Sequence, residues 1–189
     1  MKQELMDAIQ ETPVIAAVKD DDGLQNALQN ENIRVVFILY GDICNISTLV
    51  QRIHAAGKFA IVHVDLIAGL ASKEVAVDFI RSQTEADGII STRPTLIRRA
   101  RHRGLLTVQR AFILDSLSLT SLSGQLEQGK PDFVEILPGI MPRVIAEISA
   151  RTQVPVIAGG LLRDKADVMA AMRAGAAAVS TSAPSLWDI

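Results

Sequence analysis

The feature that most constrains the fold is an eightfold alternation of short apolar runs with segments of helical periodicity. Because a strand that is followed by a helix usually pairs in parallel with the next strand, this order predicts a parallel sheet covered by helices. The eight runs lie at residues 13–18, 35–40, 59–64, 89–90, 105–108, 133–137, 154–160 and 176–182.

An open doubly wound sheet would give the same alternation. Eight repeats favour a closed (β/α)8 TIM-type barrel, as do the loops that end the last two runs. The chain has 189 residues, whereas this fold typically takes about 250, so we expect trimmed helices. We expect residues 1–189 to form one domain, in which a helix at residues 1–10 plugs one end of the barrel.

Composition excludes several classes of protein. Hydrophobic residues make up 49% of the chain and aromatic residues only 4%, which is typical of buried parallel strands rich in Val, Ile and Leu. Cys44 is the single cysteine, so no internal disulfide forms, and no spacing suits a metal site. With no run of about 18 apolar residues, we expect a cytoplasmic protein without membrane contact.

Polar residues cluster where the apolar runs end, which is where barrels of this kind place function. His63 and Asp65 share parity, so both are expected to face the same end as an acid–base pair or a hydrogen-bonding clamp; alternatively, His63 is structural. Glu135 interrupts an apolar strand and needs a partner, for which Arg110 and Lys19 are the candidates. Its role is either a structural ion pair or a ligand contact.

Small residues end the last two runs. Gly159 and Gly160 let backbone amides approach a ligand, and 180–182 adds hydroxyls and amides. Glycine pairs often only make turns, but paired loops after strands seven and eight commonly hold phosphate in these barrels. The sequence therefore predicts a phosphate site there.

One sector of the chain is basic although the formal net charge is −2. Residues 88–114 contain six arginines and no acidic residue. A solvated helix face is the simpler interpretation, and RNA or another polyanion is the alternative. The candidate RNA-binding residues are Arg98, Arg99, Arg101 and Arg103.

Six segments of the chain resemble one known family, the glycerol-3-phosphate-responsive antiterminators of bacterial glycerol uptake operons. In chain order they are HVDLIAGL (63–70), DGIISTR (87–93), QRAFILDS (109–116), PDFVEILPGIMP (131–142), IAGGL (157–161) and GAAAVSTSAPSLW (175–187).

The resemblance implies a regulator without catalytic activity or cofactor, which senses glycerol 3-phosphate and acts on a leader mRNA. A homo-oligomer is left open. Carried over to motif positions at strand ends, the ligand site comprises His63, Asp65, Arg93, Arg110, Glu135, Gly159, Gly160, Thr181 and Ser182. The assignment of the basic helix to RNA rests on charge alone.

Two other functions stay open at this point. A phosphate-binding barrel enzyme, of the aldolase, epimerase or isomerase type, would need an acid–base pair or a buried lysine for Schiff-base chemistry. Lys19 and the pair of His63 with Asp65 are the available groups. A protein-partner role for the basic sector is the third hypothesis.

Overall fold

The computed structural model describes residues 2–189 and shows a closed barrel of eight parallel strands. The strands are β1 (Val14–Val18), β2 (Val35–Ile38), β3 (Phe59–His63), β4 (Gly88–Ser91), β5 (Leu106–Phe112), β6 (Phe133–Leu137), β7 (Val156–Gly159) and β8 (Ala178–Thr181). Each strand pairs with the next, and Val14 of β1 lies opposite Val179 of β8. The TIM-type prediction is confirmed, and the open sheet is excluded.

Eight α-helices accompany the strands in the part of the chain that the structure describes. They are α1 (Lys2–Glu11), α2 (Asp21–Gln29), α3 (Ile46–Ala55), α4 (Glu74–Gln83), α5 (Pro94–His102), α6 (Ser116–Gly129), α7 (Pro142–Arg151) and α8 (Lys165–Arg173). The helices that follow strands span only 9 to 14 residues. They are as short as the chain length predicts.

A short 3-10 turn, Pro184–Leu186, follows β8 where a longer chain would place another helix. Trp187 comes next and is only 2% exposed. Its indole Nε1 donates a hydrogen bond to the carbonyl oxygen of Thr181 at 3.0 Å. This bond joins the turn to the end of β8. The turn and the Trp187 ring cover the outside of the barrel there.

Side-chain caps fix where several helices begin. Asp20, Asp115 and Asp164 accept hydrogen bonds from backbone amides in the first turns of α2, α6 and α8. Pro94 and Pro142 open α5 and α7, at positions whose missing N–H costs no helical bond. All five residues lie just after a strand, so they define the end of the barrel at the carboxyl ends of the strands, here called the mouth.

Helix α1 closes the end of the barrel opposite the mouth. Its Leu5, Ala8 and Ile9 are buried against the barrel interior, where Phe37 and Phe133 also pack. The predicted plug is therefore confirmed over Lys2–Glu11, while Met1 lies outside the described residues.

Two details differ from the sequence expectations. Strand β5 continues to Phe112, so Gln109 and Arg110 belong to the strand and not to the loop after it. Strand β2 ends at Ile38, two residues before the end of the apolar run at residues 35–40.

Candidate functional site

The inward face of the barrel changes from apolar to polar towards the mouth. Alternation along β6 places Phe133 inside the barrel among apolar side chains, and Glu135 on the same face two residues later. The same alternation puts His63, Arg110 and Ser180 on the inward faces of β3, β5 and β8. These four polar residues form one layer above an apolar core, and each is at least nine-tenths buried.

Glu135 is the centre of this polar layer. Arg110 Nε donates to Glu135 Oε2 at 2.6 Å, and Ser180 Oγ donates to Oε1 at 2.5 Å. Arg110 is thus the partner that the carboxylate requires, and Lys19 is not. Gly159 makes the arrangement fit, since a Cβ there would lie 2.6 Å from both Oε1 and Ser180 Oγ.

His63 lies in the same layer and is neutral at physiological pH. Burial, together with the positive charge of Arg110, lowers the pKa of His63 to about 4. Its Nδ1 is buried and has no hydrogen-bond partner within residues 2–189. The nearest carboxylate oxygen, Oδ2 of Asp65, is 4.0 Å away, which is beyond hydrogen-bonding distance.

His63 and Asp65 therefore lie near each other without a direct hydrogen bond. Strand β3 ends at His63, and the chain turns into a 3-10 helix at Val64–Leu66, so strand parity no longer holds at Asp65. The Asp65 carboxylate instead accepts from Ser91 Oγ at 3.0 Å and from the Thr92 amide at 2.7 Å. It fixes the loop after β4.

A cavity of about 220 Å³ opens at the mouth above Glu135. Five of the nine predicted ligand residues line it, namely Arg110, Glu135, Gly160, Thr181 and Ser182. Its other walls are Ala17, Lys19, Leu39, Leu137, Leu161, Leu162, Ser180 and Ala183.

The remaining four predicted ligand residues do not line the cavity. Gly159 and His63 lie beside it in the polar layer. Gly159 is in contact range of Glu135, and the positive charge of Arg110 acts on His63. Asp65 and Arg93 lie together on the loops after β3 and β4, with Arg93 Nε 3.8 Å from Asp65 Oδ1.

Three residues that line the cavity, in the loops after β7 and β8, have backbone amides without a hydrogen-bond partner among the described residues. The amides of Gly160, Leu161 and Ser182 donate to no acceptor within residues 2–189. Gly160 has φ of +76° and Leu161 has φ of +61°. A leucine rarely adopts this left-handed conformation, and such strain is concentrated at functional sites. Nothing in the local sequence signals it.

Lys19 adds a positive charge to the same cavity. It is exposed, it follows β1, and it has no salt-bridge partner in the described part of the chain. Free amides and an unpaired ammonium group favour an anion, while the Glu135 carboxylate accepts hydrogen bonds from hydroxyls. The cavity therefore suits a small molecule with an anionic end and a hydroxylated end.

The basic helix α5 is partly neutralised by its neighbour α4. Arg99 donates to both carboxylate oxygens of Asp78 at 2.9 Å, and Arg103 Nε lies 3.2 Å from Asp78. Arg101 donates to the carbonyl oxygen of Lys130 at 2.7 Å. Arg98 is exposed and has no ion-pair partner within residues 2–189.

The described residues contain neither a metal-binding group of side chains nor a membrane-spanning helix. No group of three or more His, Cys, Asp or Glu side chains within residues 2–189 is placed to hold a metal ion. Over the same residues, no helix has the length and apolar character needed to cross a bilayer.

Comparison with known proteins identifies the family. The sequence model described as "Glycerol-3-phosphate responsive antiterminator" matches residues 14–187. The chain belongs to this family. The protein YgcP of Escherichia coli K12, which is described as uncharacterized, is 43% identical over 185 residues, covering 98% of this chain and 96% of that protein.

Crystal structures of two antiterminator-type proteins share the fold closely. The glycerol uptake operon antiterminator regulatory protein of Listeria monocytogenes superposes with a TM-score of 0.89 at 32% identity, over 93% of this chain and 94% of that one. The related protein of Thermotoga maritima gives 0.82 at 32% identity, over 93% and 98%. The predicted family resemblance is thus confirmed.

More distant matches include enzymes. Deoxyribose phosphate aldolase of Aeropyrum pernix has a TM-score of 0.72 at 14% identity, over 99% of this chain and 95% of that one. At this identity the likeness shows a shared barrel and nothing about chemistry.

Proposed function

We propose that this antiterminator-family protein senses glycerol 3-phosphate at the mouth of the barrel, binds a leader RNA of a glycerol-metabolism operon, and has no catalytic activity. The observation that carries the proposal is the cavity. It combines free amides of the β7 and β8 loops with Lys19 on one side and the Glu135 carboxylate on the other. The family membership supports the same ligand.

The ligand is placed by matching charges to its two ends. Its phosphate lies on the amides of Gly160 and Ser182 and against Lys19, because aligned amides and an ammonium group stabilise a dianion. Its hydroxyls donate to Glu135, whose two oxygens each retain acceptor capacity beyond the bonds from Arg110 and Ser180. A cavity of about 220 Å³ suits a ligand of this small size.

The RNA surface is assigned to the exposed face of α5. Arg98 is unpaired and Arg101 is held only by a carbonyl oxygen, so these two are the most available for phosphate contacts. Arg99 and Arg103 share Asp78 and would have to exchange that partner for RNA. Arg93 is the N-cap residue of α5, which offers a route from the mouth to this helix.

The alternative, a barrel enzyme, is favoured by one observation, the presence of Lys19 at the cavity. Schiff-base chemistry needs a lysine that is desolvated or placed next to another cationic group. Lys19 is exposed, the cation Arg110 at the same cavity is paired with Glu135, and His63 makes no hydrogen bond to Asp65. The regulator is therefore the better-supported function.

Ligand binding is tested by isothermal titration with glycerol 3-phosphate, glycerol and inorganic phosphate. We expect saturable binding of glycerol 3-phosphate at least tenfold tighter than that of either fragment, since only the intact ligand uses both ends of the cavity. The same samples are analysed for chemical change of glycerol 3-phosphate and of triose phosphates. Turnover that is lost in Lys19→Ala would establish the enzyme instead.

RNA binding is tested with the leader RNA by fluorescence anisotropy across salt concentrations. We expect Arg98→Gln/Arg101→Gln to weaken binding and to reduce the salt slope by about one for each lost phosphate contact. The double variant Lys165→Gln/Arg173→Gln removes two exposed charges from α8 and serves as the matched control. Wild-type affinity of the α5 variant would place the RNA surface elsewhere.

A further inference from the structure

Large apolar side chains surround the mouth and are exposed to solvent. We call them the apolar rim: Ile43, Leu66, Phe112, Leu114, Leu117 and Ile140, with exposures of 44%, 48%, 50%, 82%, 76% and 43%. Phe112 is the last residue of β5, and the other five lie in loops or first helical turns that follow strands β2, β3, β5 and β6. Leu161 of the cavity wall is also 60% exposed. An apolar ring around a polar cavity marks an interaction surface.

The charges at the mouth are divided between two sectors. The segment after β1 is net acidic, with exposed Asp20, Asp21 and Asp22 beside Lys19 and with Asp21 paired to Arg52, whereas exposed Arg143 and Arg163 follow β6 and β7. Asp22, Arg143 and Arg163 have no side-chain ion pair within residues 2–189. On the closed ring β1 is three positions from β6 and two from β7, so these two groups of charges occupy different sectors of the mouth. We call them the acidic side and the basic side.

We propose that two copies of this chain associate mouth to mouth about a two-fold axis that lies in the plane of the mouth. In such an isologous contact every residue pair occurs twice. An axis that superposes the two sides brings each acidic side against the partner's basic side. It also brings Phe112, Leu114 and Ile140 against the apolar residues Ile43 and Leu66 of the partner subunit.

The composition of the rim favours protein over RNA as its occupant. Nucleic-acid surfaces are predominantly basic, and those for single strands commonly add aromatic side chains on which bases stack. Five of the six rim residues are aliphatic, Phe112 is the one aromatic residue among them, and acidic side chains flank the same opening. Aliphatic contact ringed by charges of both signs is the composition of a protein interface.

The association would close the cavity over its contents. A ligand bound above Glu135 would lie between two barrels and would leave only when the copies separate. The proposal itself does not depend on which ligand binds, because it is tested on the free protein.

The test is the oligomeric state of the full chain by sedimentation equilibrium at neutral pH. We expect a concentration-dependent dimer that weakens as salt rises, since part of the contact is ionic. Leu114→Asp/Leu117→Asp should raise the dimer dissociation constant at least tenfold. The control Met169→Asp/Ile189→Asp adds the same charge at two exposed apolar residues away from the mouth, and it should change that constant less than twofold.

A charge exchange tests the geometry. Arg143→Asp and Asp22→Arg should each weaken the dimer, and combining the two should restore it, because the reversed charges again face each other. A wild-type monomer at all concentrations up to ~100 µM, or a dimer unaffected by the rim variant, would overturn the proposal. Loss of leader RNA binding in the rim variant without any change in oligomeric state would do the same, in favour of RNA at the mouth.

Discussion

Two arginine–carboxylate pairs in this protein have similar chemistry and opposite surroundings. Arg110 and Glu135 meet inside the barrel, where their side chains are 9% and 1% exposed. Arg99 and Asp78 meet between α4 and α5, at 35% and 32% exposure. The buried pair is largely shielded from solvent, whereas the partners of the surface pair can exchange their contact for water. The first therefore fixes the site, while the second leaves its arginine available.

Breaking the buried pair should have the largest effect. Arg110→Met leaves the Glu135 carboxylate uncompensated, and we expect a loss of about 3–5 kcal/mol in the free energy of unfolding. Urea titration measures the loss. Arg110→Met/Glu135→Met should recover much of it, because removing both charges removes the uncompensated one. A loss below about 1 kcal/mol in the single variant would show that water reaches Glu135.

The buried, neutral His63 tests the same difference between buried and exposed groups through the effect of pH on stability. Its folded-state pKa is about 4, below the ordinary value near 6.5, so between these values the unfolded chain binds a proton that the native chain does not. Stability should therefore fall as pH drops from 6.5 to 4, by roughly 2–3 kcal/mol from this residue. Urea titrations at several pH values measure this dependence of the free energy of unfolding on pH. We expect it to be shallower in His63→Gln than in wild type, and the same as wild type in His102→Gln.

Lys19 lies between the two extremes, at the cavity but exposed. Lys19→Ala should weaken glycerol 3-phosphate binding roughly tenfold, since it removes a charge-assisted contact to phosphate, and should leave the melting temperature of the free protein unchanged. Lys73→Ala, an exposed lysine at the start of α4, is the control. Equal affinities for both variants would remove Lys19 from the ligand site.

The surface pair should give the smallest effect, and in the opposite direction. Asp78→Asn releases Arg99 and Arg103, so we expect leader RNA to bind roughly two- to fivefold tighter with a steeper salt dependence. Asp22→Asn removes the same charge at the mouth and should leave RNA affinity unchanged. Unchanged affinity in Asp78→Asn would mean that these arginines do not reach RNA.

Much of the fold was predictable because it depends on regular patterns. Eight apolar runs and a leading amphipathic helix predict the barrel and its plug, and a carboxylate in an apolar strand predicts a cationic partner for Glu135, with Arg110 and Lys19 as the candidates. These features follow from period and burial cost, which a single sequence displays.

The errors arose where one residue changes the path of the chain. Asp65 was placed by strand parity, but the strand ends two residues earlier. No sequence signal marks the left-handed conformation of Leu161. The ion pair of Asp78 with Arg99 joins two helices, and their spacing in the sequence does not predict this contact. Loop geometry and contacts between neighbouring helices depend on tertiary packing.

The bond from Trp187 to Thr181 gives the protein its own optical reporter. Trp187 is the single tryptophan, and its indole is hydrogen-bonded to the strand end that borders the cavity. Intrinsic emission therefore originates from one buried ring beside the proposed phosphate loops. Occupancy of that loop would be readable from the emission spectrum of the unlabelled wild-type chain, with Trp187→Phe as the dark reference.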